Sequence, residues 1–265
     1  MEKKEKDKEV EHKIKISLWK KIKLLRMIKH AKSESESSLA ITNYHIMDNE
    51  KTKMGQKSIM EHETDPQKKY NSEILYKKSC EFAVVLNMVG FVDVVSIDLF
   101  IIMRNLITAT DDWDRRFYAR IACMNLYELT NDILDLLGED RDEEGNKRGV
   151  RPLVQEIDDE NLTQVLNEVR KHFANFQNKI NKNGKNYASV RNISVAHRDH
   201  DFRNQYKSIN ELSWGEVIED FTMFNNLLYQ LRLFNKYLTS QYSIKYNQDI
   251  QPVLDYVKGH LNRLE

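Results

Sequence analysis

The sequence predicts an all-α protein, a helical up-and-down bundle. Only eight glycines and three prolines occur in 265 residues, so few positions can interrupt a helix. Apolar residues recur at three- and four-residue intervals over stretches longer than a strand supports. Half of the glycines (Gly138, Gly145, Gly149 and Gly184) fall in polar breaks between those stretches.

The length suits one domain with appendages or two small ones, enough to bury a proper core. Lys plus Arg and Asp plus Glu both number 41, a net charge of zero. Bulk charge therefore does not hold this chain on nucleic acid. The two cysteines, Cys80 and Cys123, lie in apolar helical surroundings with no CxxC pair, as expected of thiols in a reducing compartment. The first eleven residues, MEKKEKDKEVE, are charged and lead into no uncharged apolar run. No secretory leader is expected, and the cytoplasm is the expected location. The window 82–103, FAVVLNMVGFVDVVSIDLFIIM, has the length of a bilayer span but contains Asp93 and Asp98. Each acid would cost about 2.5–3.5 kcal/mol at mid-bilayer, so a buried helix is expected and no transmembrane segment.

Residues 1–70 differ from the rest. Seven basic side chains and no acid occur in 13–29, KIKISLWKKIKLLRMIK. Ile14, Leu18, Ile22 and Leu25 give that stretch one apolar helical face. A basic amphipathic helix suits RNA, an acidic membrane surface, a partner, or its own domain. AKSESESSLA and the polar run to about residue 70 predict a linker. A bundle is predicted over 71–245. It begins with a helix over 72–108, Gly90 offering a bend. Asp111 and Asp112 are candidate N-caps for a helix stopped by Gly138. Pro152 and the following acids open a helix to about residue 180. Ser213 and Glu216 form the capping box of a helix to about Ser240. A separate C-terminal helix is predicted within 246–265.

The densest chemistry lies at 189–202, SVRNISVAHRDHDF. A polar surface loop, a metal site and a nuclease site are all compatible with it. His197, Asp199, His200 and Asp201 are competent metal ligands. Glu128, Asp132 and Asp135 form a separate acidic stripe at i, i+4 and i+7, where a solvated or dimer-facing surface is expected. Di-metal carboxylate bundles also need Glu-x-x-His partners, and Glu9 with His12, the one such pair, sits in the charged tail. The pair His200–Asp201 in an all-α chain resembles the HD phosphohydrolases, which would take His172 and Asp220 as further ligands. That likeness rests on residue types alone.

Arg191-Asn192-Ile193-Ser194-Val195-Ala196-His197 matches an R-N-x4-H pattern. It resembles the signature of the HEPN superfamily, in which a polar residue often follows the arginine. The long helix before the motif, the QYKSINEL stretch and the long helix after it resemble the HEPN proteins of bacterial abortive-infection systems over about 72–242. Asp199 stands where one toxin branch of the family has Tyr. The resemblance implies metal-independent RNA cleavage by attack of a ribose 2′-OH on the adjacent phosphorus, without cofactor or metal. Such chemistry suits the residue types: His197 would move protons near neutral pH, and Arg191 would steady charge on the phosphoryl oxygens. Asn192 would hydrogen-bond the phosphate or orient the histidine. Arg198, Asp199 and His200 are the expected neighbours. On one straight helix Arg191 and His197 would lie about 120° apart, and HEPN nucleases dimerise to build a composite cleft. A homodimer is thus implied, and apolar surface in 82–103 and 213–240 beyond one bundle's capacity points the same way. A neutralising or sensor partner protein is a further expectation. The alternative is a non-catalytic HEPN-like bundle that binds RNA, a nucleotide or a partner protein, with Arg191 salt-bridged to an acid and His197 capping a helix. Arg191 and His197 are both expected to be at least half exposed.

Overall fold

The computed structural model describes residues 18–138, 149–181, 187–192 and 202–261. Among them all regular structure is helical and no strand occurs, as predicted. The helices are α1 (Leu18–His62), α2 (Pro66–Thr108), α3 (Asp112–Leu136), α4 (Arg151–Ile157), α5 (Glu160–Asn181), α6 (Tyr187–Val190), α7 (Phe202–Glu211) and α8 (Trp214–Leu261). The described residues fall into two compact units. The first takes its residues from 1–36, 94–133 and 172–228, the second from 37–93, 134–171 and 229–265. Five helices, α1, α2, α3, α5 and α8, contribute a stretch to each.

Where a linker was expected after residue 30, α1 continues unbroken to His62. The stretch 18–62 contains one glycine and no proline, and its Ala, Glu, Lys, Met and Gln are good helix formers. Its buried positions, Ile28, Ser35, Thr42 and Asn49, repeat every seven residues, the period of a coiled-coil seam. Three of the four are polar, so the seam is invisible to a search for apolar periodicity. In the second unit this seam lies on α2. Asn49 Nδ2 donates to the Ser79 carbonyl at 2.9 Å, and a side chain at Gly90 would meet Thr42 Cγ2 at 3.4 Å. Ile22, expected on the apolar face, is 40 % exposed, because the buried face centres on Ile28.

Asp65 caps α2, its Oδ1 accepting from the Gln67 amide at 2.8 Å, with Pro66 in the first helical position. Of the candidate caps for α3, Asp111 is the one used: its Oδ1 accepts from the Asp114 amide at 2.8 Å. Gly138 ends that helix, and a Cβ there would stand 3.1 Å from the Asp135 carbonyl oxygen. The helix predicted from 152 to 180 is two. Asp158 adopts φ 58°, ψ 41°, and Asp159 caps α5 through the Leu162 amide at 2.8 Å. The separate C-terminal helix is absent, because α8 runs through 240–249, a stretch without Gly or Pro. Buried Tyr242, Ile250 and Val253 keep that extension in the core.

The apolar window of α2 is long and apolar enough to cross a membrane, and 56 % of it is buried inside the protein. Its two acids take different environments. Asp98 is exposed. Asp93 is 3 % exposed, with Arg232 at 3.6 Å. Burial pushes its carboxyl up, against the pull of Ser38 and Arg232. Of the large apolar side chains in the window, Val94 alone is exposed. The surplus apolar surface expected over 82–103 is therefore largely covered within the chain. In 213–240 the exposed apolar side chains are Tyr229 and Leu233.

The first unit's core is aromatic. Phe224 of α8 packs edge-on to Phe173 at 5.8 Å and against Phe176 at 5.3 Å, both on α5. Phe221 meets Phe100 of α2 at 6.0 Å. All five rings are at most 1 % exposed, and each contributes about 1.5–3 kcal/mol by burial.

Candidate functional site

Arg191 and Asn192 belong to the first unit. They follow the single turn α6, and the chain widens there into a π-helical turn. Tyr187 and Val190, at i and i+3, are buried, which leaves Arg191 half-buried and Asn192 exposed. The Arg191 side chain is 33 % exposed, less than the half expected. The cause is an acid on α3: Arg191 Nε donates to Glu128 Oε1 at 2.9 Å. Its Nη1 donates to Asn192 Oδ1 at 3.0 Å. Glu128, expected on a solvated or dimer-facing stripe, is thus a partner of the motif arginine.

These two bonds use one N–H each of the five a guanidinium carries. Glu128 takes the Nε edge, so the outer Nη groups are the part of the fork that suits a phosphate. With Glu128 ionised, the pair Arg191–Glu128 is neutral overall. An incoming phosphate would meet a positioned donor set rather than an isolated positive charge.

The motif turn is anchored from below. Tyr187, 1 % exposed, donates its hydroxyl to Asp220 Oδ2 at 2.7 Å. Asp220 Oδ1 lies 2.9 Å from Lys179 Nζ, and Asp220 is fully buried. Burial, then Cys123 and Asp220, push the Tyr187 phenol far up, so it stays protonated and donates. This explains Asp220, considered above as a metal ligand: both its oxygens are engaged by Tyr187 and Lys179. His172, its companion in that reading, is exposed on α5.

On the far side of the motif, Arg116 of α3 donates through Nη1 to the Ile209 carbonyl at 3.1 Å and to Asn210 Oδ1 at 2.7 Å. This ties the end of α7 to α3. The stretch carrying His197 therefore joins two elements that α3 holds, one through Glu128 and the other through Arg116. His197, Arg198, Asp199, His200 and Asp201 lie outside the described residues, as do Glu9 and His12. Among the described residues, no group of three or more His, Cys, Asp and Glu could hold a metal ion.

Sequence reasoning missed a second polar cluster, in the second unit. Lys78, 5 % exposed, lies 2.7 Å from both Glu81 and Asp249. Tyr242 donates to the Lys78 carbonyl at 2.7 Å. Lys78 and Tyr242 line a cleft of about 370 Å³ together with His45, Asp48, Phe82 and Tyr246. A lysine at i and a glutamate at i+3 where α2 turns apolar was the available signal. Asp249, 171 positions away, was not legible. Glu156 lies farther from the ammonium, at 3.8 Å, and with the two nearer carboxylates the cluster reads as an ion-paired joint between α2 and α8.

Compared with protein-family models, with curated proteins and with solved structures, the chain matches none.

Proposed function

We propose that the protein is a metal-independent ribonuclease of HEPN type that cleaves RNA by 2′-OH attack, working in cellular defence or growth arrest. One observation supports it above the others: Arg191 and Asn192 stand side by side at a surface turn, bonded to each other. The arginine is oriented by Glu128. A phosphate-gripping arginine needs this, because a fixed guanidinium stabilises growing phosphoryl charge without reorganising. The all-α architecture agrees with the resemblance. In this reading His197 shuttles the proton, and two copies of the motif meet across a dimer axis.

The ion pair also favours a second reading, a non-catalytic bundle in which Glu128 and Arg191 lock α6 to α3. Cleavage assays separate the two. The nuclease retains activity in EDTA and leaves 2′,3′-cyclic phosphate ends. His197→Ala lowers its rate by about 10²–10⁴-fold with the melting temperature held. Arg191→Lys restores little, since a point charge lacks the planar fork. Full activity or toxicity in folded His197→Ala protein rules the nuclease reading out.

A further inference from the structure

The first unit contains a charged surface that the motif does not use. Residues 18–33 of α1 carry six Lys and Arg side chains and no acid, in a chain whose net charge is zero. Burial divides this helix cleanly. Ile28 is 2 % exposed, and Leu24 and Leu25 are partly buried beside it. The opposite face carries Trp19, Ile22, Lys23, Arg26 and His30 at i, i+3, i+4, i+7 and i+11, flanked by Met27 and Lys29, all exposed. Trp19 is 72 % exposed. The first acid beyond this face, Glu34, lies 3.5 Å from His30. The face extends over three turns, about 16 Å.

An exposed tryptophan among exposed cations, in a stretch without acids, suits a partner that offers both anions and flat apolar faces. A helix that lies in a bilayer turns a continuous apolar stripe outward. Here the continuous stripe, Leu24, Leu25 and Ile28, turns inward, and the outward face alternates cations with single apolar groups. Single-stranded nucleic acid supplies the matching pattern, with phosphates for the cations and unpaired bases to stack on the indole. We infer that the face of α1 from Trp19 to His30 is a docking surface for single-stranded RNA. Lys23, Arg26 and Lys29 hold backbone phosphates, and Trp19 stacks on a base. The inference rests on the ribonuclease reading for the choice of RNA over DNA, and it names the element that captures the substrate.

The test is fluorescence anisotropy of a labelled 20-nucleotide oligouridylate with full-length His197→Ala protein, which binds without cutting. Adding Lys23→Glu, Arg26→Glu and Lys29→Glu should weaken binding and flatten the slope of log affinity against log salt by about 2, three lost phosphate contacts at about 0.7 each. The milder Gln triplet should flatten it as much, and Trp19→Ala alone should lower affinity about tenfold or more. Unchanged affinity and slope in folded triple variants overturn the inference. So does a blue shift of Trp19 emission on phosphatidylserine vesicles with no charge-dependent RNA binding, which assigns the face to membranes. Wild-type protein that binds through this face but never cleaves refutes the nuclease and leaves the docking surface standing. Protein that cleaves and binds equally well with the charges reversed refutes the surface alone.

Discussion

Arg191 Nε lies 2.9 Å from Glu128 Oε1, joining α3 to a turn 63 residues later in the chain. Both side chains are partly exposed, 33 % and 40 %, so the pair contributes at most about 1 kcal/mol to stability. Its consequence is orientation. On the ribonuclease reading, Glu128→Gln should leave the melting temperature nearly unchanged while slowing RNA cleavage about tenfold or more, since a misplaced guanidinium would lose its grip on a phosphate. Single-turnover cleavage rates beside thermal melts check this, and unchanged cleavage would mean that Glu128 does not position Arg191.

Tyr187→Phe removes the hydroxyl that Asp220 Oδ2 accepts from, in a site with both residues buried. The cost should be about 1–3 kcal/mol, the loss of a buried hydrogen bond to a carboxylate, measured by urea unfolding. Lys179 stays in place at 2.9 Å from the other oxygen, so the variant should still fold. On the ribonuclease reading cleavage should fall too, because Arg191 directly follows α6. Destabilisation without any loss of cleavage would uncouple this anchor from the motif.

The Lys78–Asp249 joint sets a pH window. Burial works against both charges, yet Lys78 and Lys245 hold the Asp249 carboxyl below its ordinary 3.8. Asp249 and Glu81 likewise hold the Lys78 ammonium above its ordinary 10.5. A depressed carboxyl stabilises above its unfolded value, and that contribution is lost as pH falls through the folded one. A raised ammonium stabilises below its unfolded value and loses its contribution as pH rises through the folded one. Asp249→Asn should cost about 1–3 kcal/mol at pH 7, Glu81 still balancing Lys78. It should also shrink the fall in stability expected of the native protein below pH 3.8. Denaturant melts across pH would detect either failure.

A symmetric dimer remains a requirement of the proposed mechanism. Sedimentation at micromolar concentration should give twice the 31.5 kDa chain mass, and dilution should abolish cleavage before it unfolds the chain. The exposed pair Tyr229 and Leu233 on α8 gives a specific handle. Charging both, by Tyr229→Glu with Leu233→Glu, tests whether that face is the contact. Full cleavage by a strict monomer would exclude the composite site.

Local chemistry determined much of this molecule. Scarce Gly and Pro made it helical. Pro152 and the Asp111, Gly138 and Ser213 signals marked where helices start or stop, because caps satisfy backbone groups within a turn of themselves. Arg191 and Asn192 stood out as adjacent polar residues. Tertiary structure decided the rest. The seam of α1 includes buried Ser35, Thr42 and Asn49, which no hydrophobicity pattern reveals; Thr42 and Asn49 are covered because α2 packs against them. α8 runs on past Ser240 because Tyr242 and Asp249 find Lys78, more than 160 residues earlier. Glu128, Asp135 and their neighbours looked alike as carboxylates on one stripe. The return of the chain at residue 191 gave Glu128 the motif arginine as its partner, since ion pairing depends on distance in space and sequence spacing encodes that only within a helix.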